Sequence, residues 1–269
     1  MPLVGSENAL QALVRSAFFI GASFLFPGSS VLASENCPSS GKLEKVSVIR
    51  VYDGDTVKLV DGRKLRLIGV NASEMGHEGK PDQPMAMAAT RAVKAFVQDS
   101  SRLLIQTDLQ QQDRYGRLLA HLFNERGENL EQQLLEQGLA YHVAVPPNLT
   151  LAKCLARAEL RARGDGIGLW GPNGISPVAA ADVSVGGFQR IQGKVTELSL
   201  GKVWRLKLDN HLVVITYPEH QNNFEQSWHQ SLYGQNIEIQ GWVYSSRGEW
   251  RVKLETPFAV DRLTLAITR

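Results

Sequence analysis

The chain has 269 residues, which is more than one small barrel uses and enough for two modest domains. With 43% hydrophobic and 21% charged residues, its composition is that of a soluble globular protein. The formal net charge of +2 is too small to argue for a polyanionic partner. A case for nucleic-acid binding must therefore depend on where individual charges lie.

The N-terminal residues 1–33 have the pattern of an export signal. Arg15 precedes the apolar run "SAFFIGASFLF"; Pro27-Gly28 and a cleavage-site pattern at Val31-Leu32-Ala33 follow. A lone positive charge, a short apolar core and a small-residue site are typical of a secretory signal cleaved after Ala33. The run is shorter than the roughly 20 apolar residues that span a bilayer. We therefore expect an exported protein, periplasmic or secreted, with no stable membrane insertion after signal removal; the alternative is an uncleaved signal retained as an anchor.

The chain has two cysteines, Cys37 and Cys154. Exported proteins meet oxidising conditions, and an even number of cysteines is typical of a single disulfide bridge. Closing a loop of this length would stabilise the fold by about 4–5 kcal/mol in the chain-entropy model. The alternative is two unrelated thiols, with Cys154 as one more small apolar residue on a helix.

After a polar leader at 34–43, alternating apolar and polar residues predict a β-rich domain over 44–171. Asp61-Gly62 is a tight-turn signal between two such alternating runs. Apolar residues at helical spacing predict helices over about 84–97, 130–137 and 150–163.

The rest of the chain predicts a second unit. Residues 172–187 are rich in Pro, Gly and Ser, which is typical of a linker. Five short strand patterns over 188–262 predict a small barrel of the OB type. Its tryptophans could stack on nucleic-acid bases or face its own core; these are Trp204, Trp242 and Trp250.

One stretch brings opposite charges to the ends of a hairpin. Residues 51–74 read "VYDGDTVKLVDGRKLRLIGVNASE". A hairpin needs turn residues and one apolar face, but it does not need two aspartates, an arginine and a glutamate around its ends. With Tyr115-Gly116-Arg117 downstream, this order of motifs resembles the staphylococcal (thermo)nuclease-like family over roughly 44–170. "EQGLAYH", "PN" and "GLW" add to the resemblance.

The resemblance implies a fold that is mostly β with helices (α+β). It consists of a staphylococcal-nuclease OB-fold, a five-stranded barrel plus three helices. The second, OB-like β-barrel follows it. Only the first region carries "DGDT" and the downstream glutamate, so the chemistry is expected there.

The resemblance also implies a site for one Ca²⁺ ion. Asp55 would be a direct ligand, and the backbone carbonyl of Ala72 another. The second acidic ligand of the family falls on Asn71, whose amide oxygen can coordinate calcium but carries no negative charge. We therefore expect weaker calcium binding than an aspartate would give.

The catalytic residues implied by the resemblance are Arg66, Glu74 and Arg117. The two arginines would bind the scissile phosphate through paired N–H donors, and Glu74 would position or deprotonate the attacking water. Arg114 and Tyr115 match positions that contact a terminal phosphate.

The base-stacking tyrosine of the family has no aromatic equivalent in "HVAVPP". This leaves His142 as a poor substitute or a loosened base preference.

The sequence therefore predicts an exported, calcium-dependent nuclease that hydrolyses DNA and RNA with little sequence specificity. By resemblance it would leave 5′-hydroxyl and 3′-phosphate ends. The alternative is a catalytically silent module that uses the two barrels to bind nucleic acid or a partner. No protein partner can be inferred from the sequence.

Overall fold

The computed structural model describes residues 36–76, 81–172 and 174–263. The predicted signal at 1–33 lies outside the described residues, as do the first two residues of the predicted leader. Within the described ranges, no helix is both long enough and apolar enough to cross a membrane.

The first barrel and its helices occupy the N-terminal half of the described chain. In chain order the elements are β1 (Glu44–Val46), β2 (Val48–Val51), β3 (Thr56–Leu59), β4 (Lys64–Leu67), β5 (Val70–Ala72), α1 (Ala86–Asp99), β6 (Leu103–Gln112), β7 (Leu118–Asn124), α2 (Leu130–Glu136), β8 (Ala140–His142) and α3 (Ala152–Gly164).

The main sheet of this barrel has the order β1-β6-β7-β4-β3-β2, and β5 pairs separately with β8. Strands β1 and β2 lie at opposite edges of the sheet although Ser47 alone separates them. They are the two halves of one bent strand, so the sheet curls into a half-barrel with the five-strand order of an OB fold. Strands β4 and β7 run parallel, whereas the other neighbouring pairs are antiparallel.

The core of the first barrel follows from alternation along the strands. Val57 and Leu59 on β3, and Leu65 and Leu67 on β4, are all buried because every second side chain faces the interior. Between these strands the predicted turn has Gly62 at a φ of 92°, a conformation that favours glycine.

Two predicted helices begin later in the structure than in the sequence analysis. Helix α1 starts at Ala86 rather than at residue 84, because Met85 before it has a left-handed φ of 68°. Helix α3 starts at Ala152 rather than at 150, after a turn closed by the hydrogen bond from Ala152 N to Leu149 O.

The predicted disulfide is confirmed, since Cys37 and Cys154 are bonded across a sequence separation of 117 residues. The bridge joins the segment before β1 to helix α3. The amide of Cys37 also donates to Gln132 Oε1 at 2.7 Å, which ties the same segment to α2.

The second barrel is formed by the C-terminal strands. These are β9 (Val178–Ala179), β10 (Gly187–Leu200), β11 (Trp204–Leu208), β12 (Leu212–Thr216), β13 (Asn236–Ser246), β14 (Glu249–Lys253) and β15 (Val260–Arg262). Strand β13 pairs with both β14 and β10, so the order β10-β11-β12-β14-β13 closes on itself. The pair β12 and β14 is parallel, as β4 and β7 are in the first barrel. Both barrels therefore have OB connectivity.

Ordered structure also occurs between the barrels, at 172–187, where the sequence predicts a linker. Strand β9 pairs in parallel with β10. A 3-10 turn at Ala180–Asp182 follows, and Ala180 and Val183 are buried in the core of the second barrel.

A largely buried group of charged and polar side chains connects the two barrels, and we call it the interbarrel cluster. It consists of Glu159, Arg163, Arg190, Glu238, Gln240 and Asp261. Arg163 on α3 is its centre: its guanidinium contacts Glu238 Oε1 at 3.1 Å, Gln240 Oε1 at 3.2 Å and the carboxylate of Asp261. The Arg163 Cζ also lies 4.0 Å from the ring centroid of Trp170.

Gln240 on β13 connects the second barrel to β8. Its Nε2 donates to His142 O at 2.8 Å and lies 3.2 Å from Glu159 Oε2. Glu159 Oε1 in turn accepts from His142 N at 2.8 Å. Burial raises the pKa of the Glu159 carboxyl, and the charge of Arg163 opposes that rise.

Candidate active site

Asp55 lies in the tight turn between β2 and β3, and this turn packs directly on β5 and α1. A Cβ at Gly54 would lie 2.6 Å from the Cβ atoms of both Ala72 and Ala89, so the close approach requires glycine. The glycine of "DGDT" thus allows Asp55 to reach β5.

The Asp55 carboxylate is buried, with 6% of the residue exposed, and both of its oxygens accept hydrogen bonds. Oδ2 accepts from Ala72 N at 2.9 Å and lies 3.1 Å from Arg66 Nη2. Oδ1 accepts from Thr56 Oγ1 at 2.9 Å. These contacts fix the carboxylate against the strand that carries the predicted ligands.

Arg66 on β4 joins the same group of residues. Its Nη1 donates to Leu67 O at 2.6 Å and Val70 O at 2.8 Å, and its Nη2 lies 3.5 Å from Asn71 Oδ1. Asp55, Arg66, Asn71 and Ala72 are therefore connected, because Asp55 contacts Arg66 and Ala72 and Arg66 contacts Asn71.

Asp53 was not among the predicted site residues, yet it belongs to this turn. Its Oδ1 accepts from Asp55 N at 3.0 Å. Burial and the nearby Asp55 carboxylate raise the pKa of Asp53. The spacing of two residues in "DGDT" is the sequence signal that could have included it.

The donor set fits a hard cation such as calcium. Its oxygens are carboxylate and amide oxygens, which calcium accepts as ligands, and the Arg66 guanidinium at 3.1 Å already offsets part of the negative charge of Asp55. No group of three His, Cys, Asp or Glu side chains able to hold a metal is found among the residues that the structure describes. A calcium site here therefore needs the Asn71 amide and backbone carbonyl oxygens.

Glu74 follows β5 and is solvent-exposed. Its backbone is held by Gln83, because Glu74 N donates to Gln83 Oε1 at 2.9 Å and Gln83 N donates to Glu74 O at 3.1 Å. These two hydrogen bonds to Gln83 fix the position of the Glu74 backbone, and with it the position of the Glu74 Cβ atom.

A second group surrounds Arg117, the residue directly before β7. Asp113 Oδ1 accepts from the amides of Tyr115 and Arg117, both at 2.9 Å, and Asp113 Oδ2 accepts from Arg117 Nε at 2.6 Å. Burial raises the pKa of Asp113, but these hydrogen bonds outweigh it and leave the pKa below its ordinary value. Arg114 Nη2 donates to the Tyr115 hydroxyl at 2.6 Å.

The two groups belong to neighbouring strands, with Arg66 on β4 and Arg117 directly before β7. Arg66 is opposite Leu119 in the parallel pair of β4 and β7, and Arg117 is two residues before Leu119. Side chains two apart on a strand point to the same side. Strand spacing and rise per residue put the Cα atoms of Arg66 and Arg117 about 8 Å apart. Among the described residues the two guanidiniums do not contact each other: Arg66 contacts Asp55 and Arg117 contacts Asp113.

A family model described as staphylococcal nuclease homologue matches residues 64–172. The thermonuclease of Staphylococcus hyicus is 31% identical over 128 residues, which are 46% of this chain and 75% of that protein. The thermonuclease of Staphylococcus intermedius is 32% identical over 130 residues, 47% of this chain and 76% of that protein. The chain belongs to the staphylococcal nuclease family.

Another relative is the endonuclease YncB of Bacillus subtilis, 31% identical over 138 residues, 49% of this chain and 64% of that protein. The match to the staphylococcal nuclease family model ends at residue 172. The second barrel therefore lies outside the matched part of the chain.

A groove of about 330 Å³ runs between the two barrels beside the predicted site. Asn71, Ala72 and Glu74 line it from the first barrel, and Phe188 and Trp242 line it from the second. The sequence analysis did not connect Phe188 and Trp242 with the site. They are more than 100 residues away from Glu74 along the chain, and no local sequence pattern indicates a contact over that separation.

The histidine considered for base stacking is not available for it. His142 is 1% exposed, and burial lowers its pKa to about 3. Its backbone instead joins β5, Glu159 and Gln240.

Proposed function

We propose that this protein is an exported, calcium-dependent nuclease that hydrolyses DNA and RNA phosphodiesters with little sequence specificity. The main supporting observation is the connected group in which Asp55 contacts Arg66 and Ala72 and Arg66 contacts Asn71, with Arg117 directly before the neighbouring strand β7. Membership of a nuclease family and the names of its relatives support the same conclusion. The signal pattern at 1–33 and the disulfide support export.

Asp55, Asn71 and the Ala72 carbonyl would hold one calcium ion, which when bound polarises the phosphate and lowers the pKa of a coordinated water. Arg117 would bind nonbridging phosphate oxygens: within the described ranges its guanidinium hydrogen-bonds to Asp113 alone, through Nε, so both Nη groups are available.

Arg66 would stabilise the charge that develops on the phosphate as the water attacks. Its present contacts with Asp55 and the backbone preorganise it for that role. The Glu74 carboxylate would accept the proton of the attacking water. Arg114 and Tyr115 would contact a terminal phosphate.

Purified protein is to be incubated with plasmid DNA and with RNA, in calcium and in chelator. We expect degradation of both polymers in calcium and none in chelator, with products that carry 5′-hydroxyl ends. Intact polymers in calcium would instead support the catalytically silent binding module.

Replacing Asn71 by aspartate should lower the calcium concentration for half-maximal activity by roughly tenfold, because the site gains one negative charge. The measurement is a calcium titration of DNA cleavage. Asn222→Asp, at an exposed position of the second barrel, adds the same charge elsewhere and should leave the midpoint unchanged. An unchanged midpoint in Asn71→Asp would show that Asn71 is not a ligand.

A further inference from the structure

The groove between the barrels has one half-exposed aromatic wall. Trp242 on β13 is 48% exposed, although it belongs to a residue type that proteins usually bury. It lines the groove together with Glu74 and Asn71. An exposed indole ring therefore faces the same space as the predicted catalytic carboxylate.

Trp242 is held in place by a series of aromatic contacts that ends at the predicted ligand strand. Its ring centroid lies 5.0 Å from that of Phe188, and Phe188 lies 5.1 Å from Tyr141. Tyr141 is the partner of Asn71 in the pairing of β8 with β5. The indole is thus a fixed part of the site's surroundings.

The other tryptophans considered for stacking have different surroundings. Trp204 and Trp250 pack against the core of the second barrel. The Trp204 ring also contacts His229, with centroids 4.6 Å apart. Exposure and position together single out Trp242.

We propose that Trp242 stacks on an unpaired base of the nucleic-acid substrate, next to the phosphodiester that is cleaved. This proposal rests on the proposed nuclease function. A flat indole in the wall of a groove that Glu74 and the predicted calcium ligands Asn71 and Ala72 also line suits a nucleotide, whose base and phosphate need two adjacent surfaces of different chemistry. The second barrel would then supply the stacking surface that the first barrel lacks.

Stacking on an indole requires a free base face, which a duplex hides in its interior. Trp242 would therefore favour single-stranded DNA or RNA over duplex. Because any base has a π-face, it would do so with little sequence preference.

Two variants distinguish aromatic stacking from the effect of apolar side-chain volume. Trp242→Phe keeps an aromatic ring, whereas Trp242→Leu keeps only apolar volume. Both are made in the full chain carrying Glu74→Gln, so that the substrate stays intact in calcium. The measurement is fluorescence anisotropy of a short labelled single-stranded oligonucleotide and of its duplex. Tyr233→Leu removes an exposed aromatic residue of the second barrel that does not line the groove, and it serves as the matched control.

We expect Trp242→Leu to weaken single-strand binding by about tenfold, and Trp242→Phe to retain most of the affinity. Duplex binding should change less, and Tyr233→Leu should change neither. In the catalytically competent chain, Trp242→Leu should raise KM for single-stranded DNA with little change in kcat.

Equal affinities of the parent, Trp242→Phe and Trp242→Leu for the single strand would overturn the proposal. If the wild-type protein still cleaves DNA in calcium, the proposed nuclease function stands without it. If the wild-type protein does not cleave DNA but Trp242→Leu loses binding, the nuclease function fails and the stacking surface stands.

Discussion

Replacing Glu74 by glutamine should lower kcat for DNA hydrolysis by about 10²- to 10⁴-fold, the range typical of a lost general base. Glutamine has the same shape as glutamate but cannot accept a proton at neutral pH. The hydrogen bonds of the Glu74 backbone to Gln83 do not involve the carboxylate, so the backbone at residue 74 should keep its position in the variant. The measurement is steady-state cleavage of single-stranded DNA at saturating calcium.

Glu197→Gln is the matched control, because it removes an exposed carboxylate of the second barrel that pairs with Lys207 at the surface. Its kcat should equal that of the wild type. Cleavage by Glu74→Gln at the wild-type rate would exclude Glu74 as the base and would point to a contaminating nuclease or a different site.

Replacing Arg163 by methionine should lower the free energy of unfolding by about 3–5 kcal/mol, as expected when one partner of a buried ionic group is removed. Arg163 is 16% exposed at its side chain and contacts Glu238, Asp261 and Gln240 across the interface of the two barrels. Methionine fills much of the same volume but removes the cation beside Glu159 and Asp261, whereas Glu238 keeps its pair with Arg190. The measurement is urea denaturation at neutral pH.

The loss of unfolding free energy in Arg163→Met should depend on pH, and the direction of this dependence can be predicted. Burial already raises the pKa of Glu159, and loss of Arg163 raises it further. A carboxyl whose folded pKa lies above its unfolded pKa binds protons more tightly in the folded state, so folding becomes less favourable as pH rises. The deficit of Arg163→Met should therefore be smaller at pH 5 than at pH 7.

Lys153→Met is the control on the same helix, at an exposed position. Its free energy of unfolding should stay within about 0.5 kcal/mol of wild type. If Arg163→Met matched this control, the interbarrel cluster would contribute nothing to stability, and the two barrels would be joined by apolar contacts alone.

Local sequence patterns predicted most of the fold. Asp61-Gly62 gave the hairpin between β3 and β4, and apolar spacing gave the three helices within two residues at their starts. These signals are local, because a turn needs particular residues and an amphipathic helix needs one apolar stripe. The disulfide was predicted from the even number of cysteines and the expected export of the protein, and not from any geometric argument.

The sequence motifs predicted which residues belong to the site, but they did not predict which of those residues contact each other. The spacing of Asp55, Arg66 and Asn71 shows nothing of how the Asp55 carboxylate accepts from Ala72 N or pairs with Arg66. Asp113 was missed as the residue that holds Arg117, since an aspartate four residues before an arginine in a turn is common. Whether these residues catalyse hydrolysis stays a prediction.

The sequence by itself determined the two β-rich units, the helices, the disulfide and the family, because each depends on residue order or on short-range periodicity. The tertiary structure alone decided which residues of the second barrel face the site. Trp242 lines the same groove as Glu74, and Gln240 hydrogen-bonds His142 on β8, although more than 90 residues of chain separate the members of each pair. Such contacts arise from the packing of the two barrels against each other, and the pattern within either sheet carries no information about that packing.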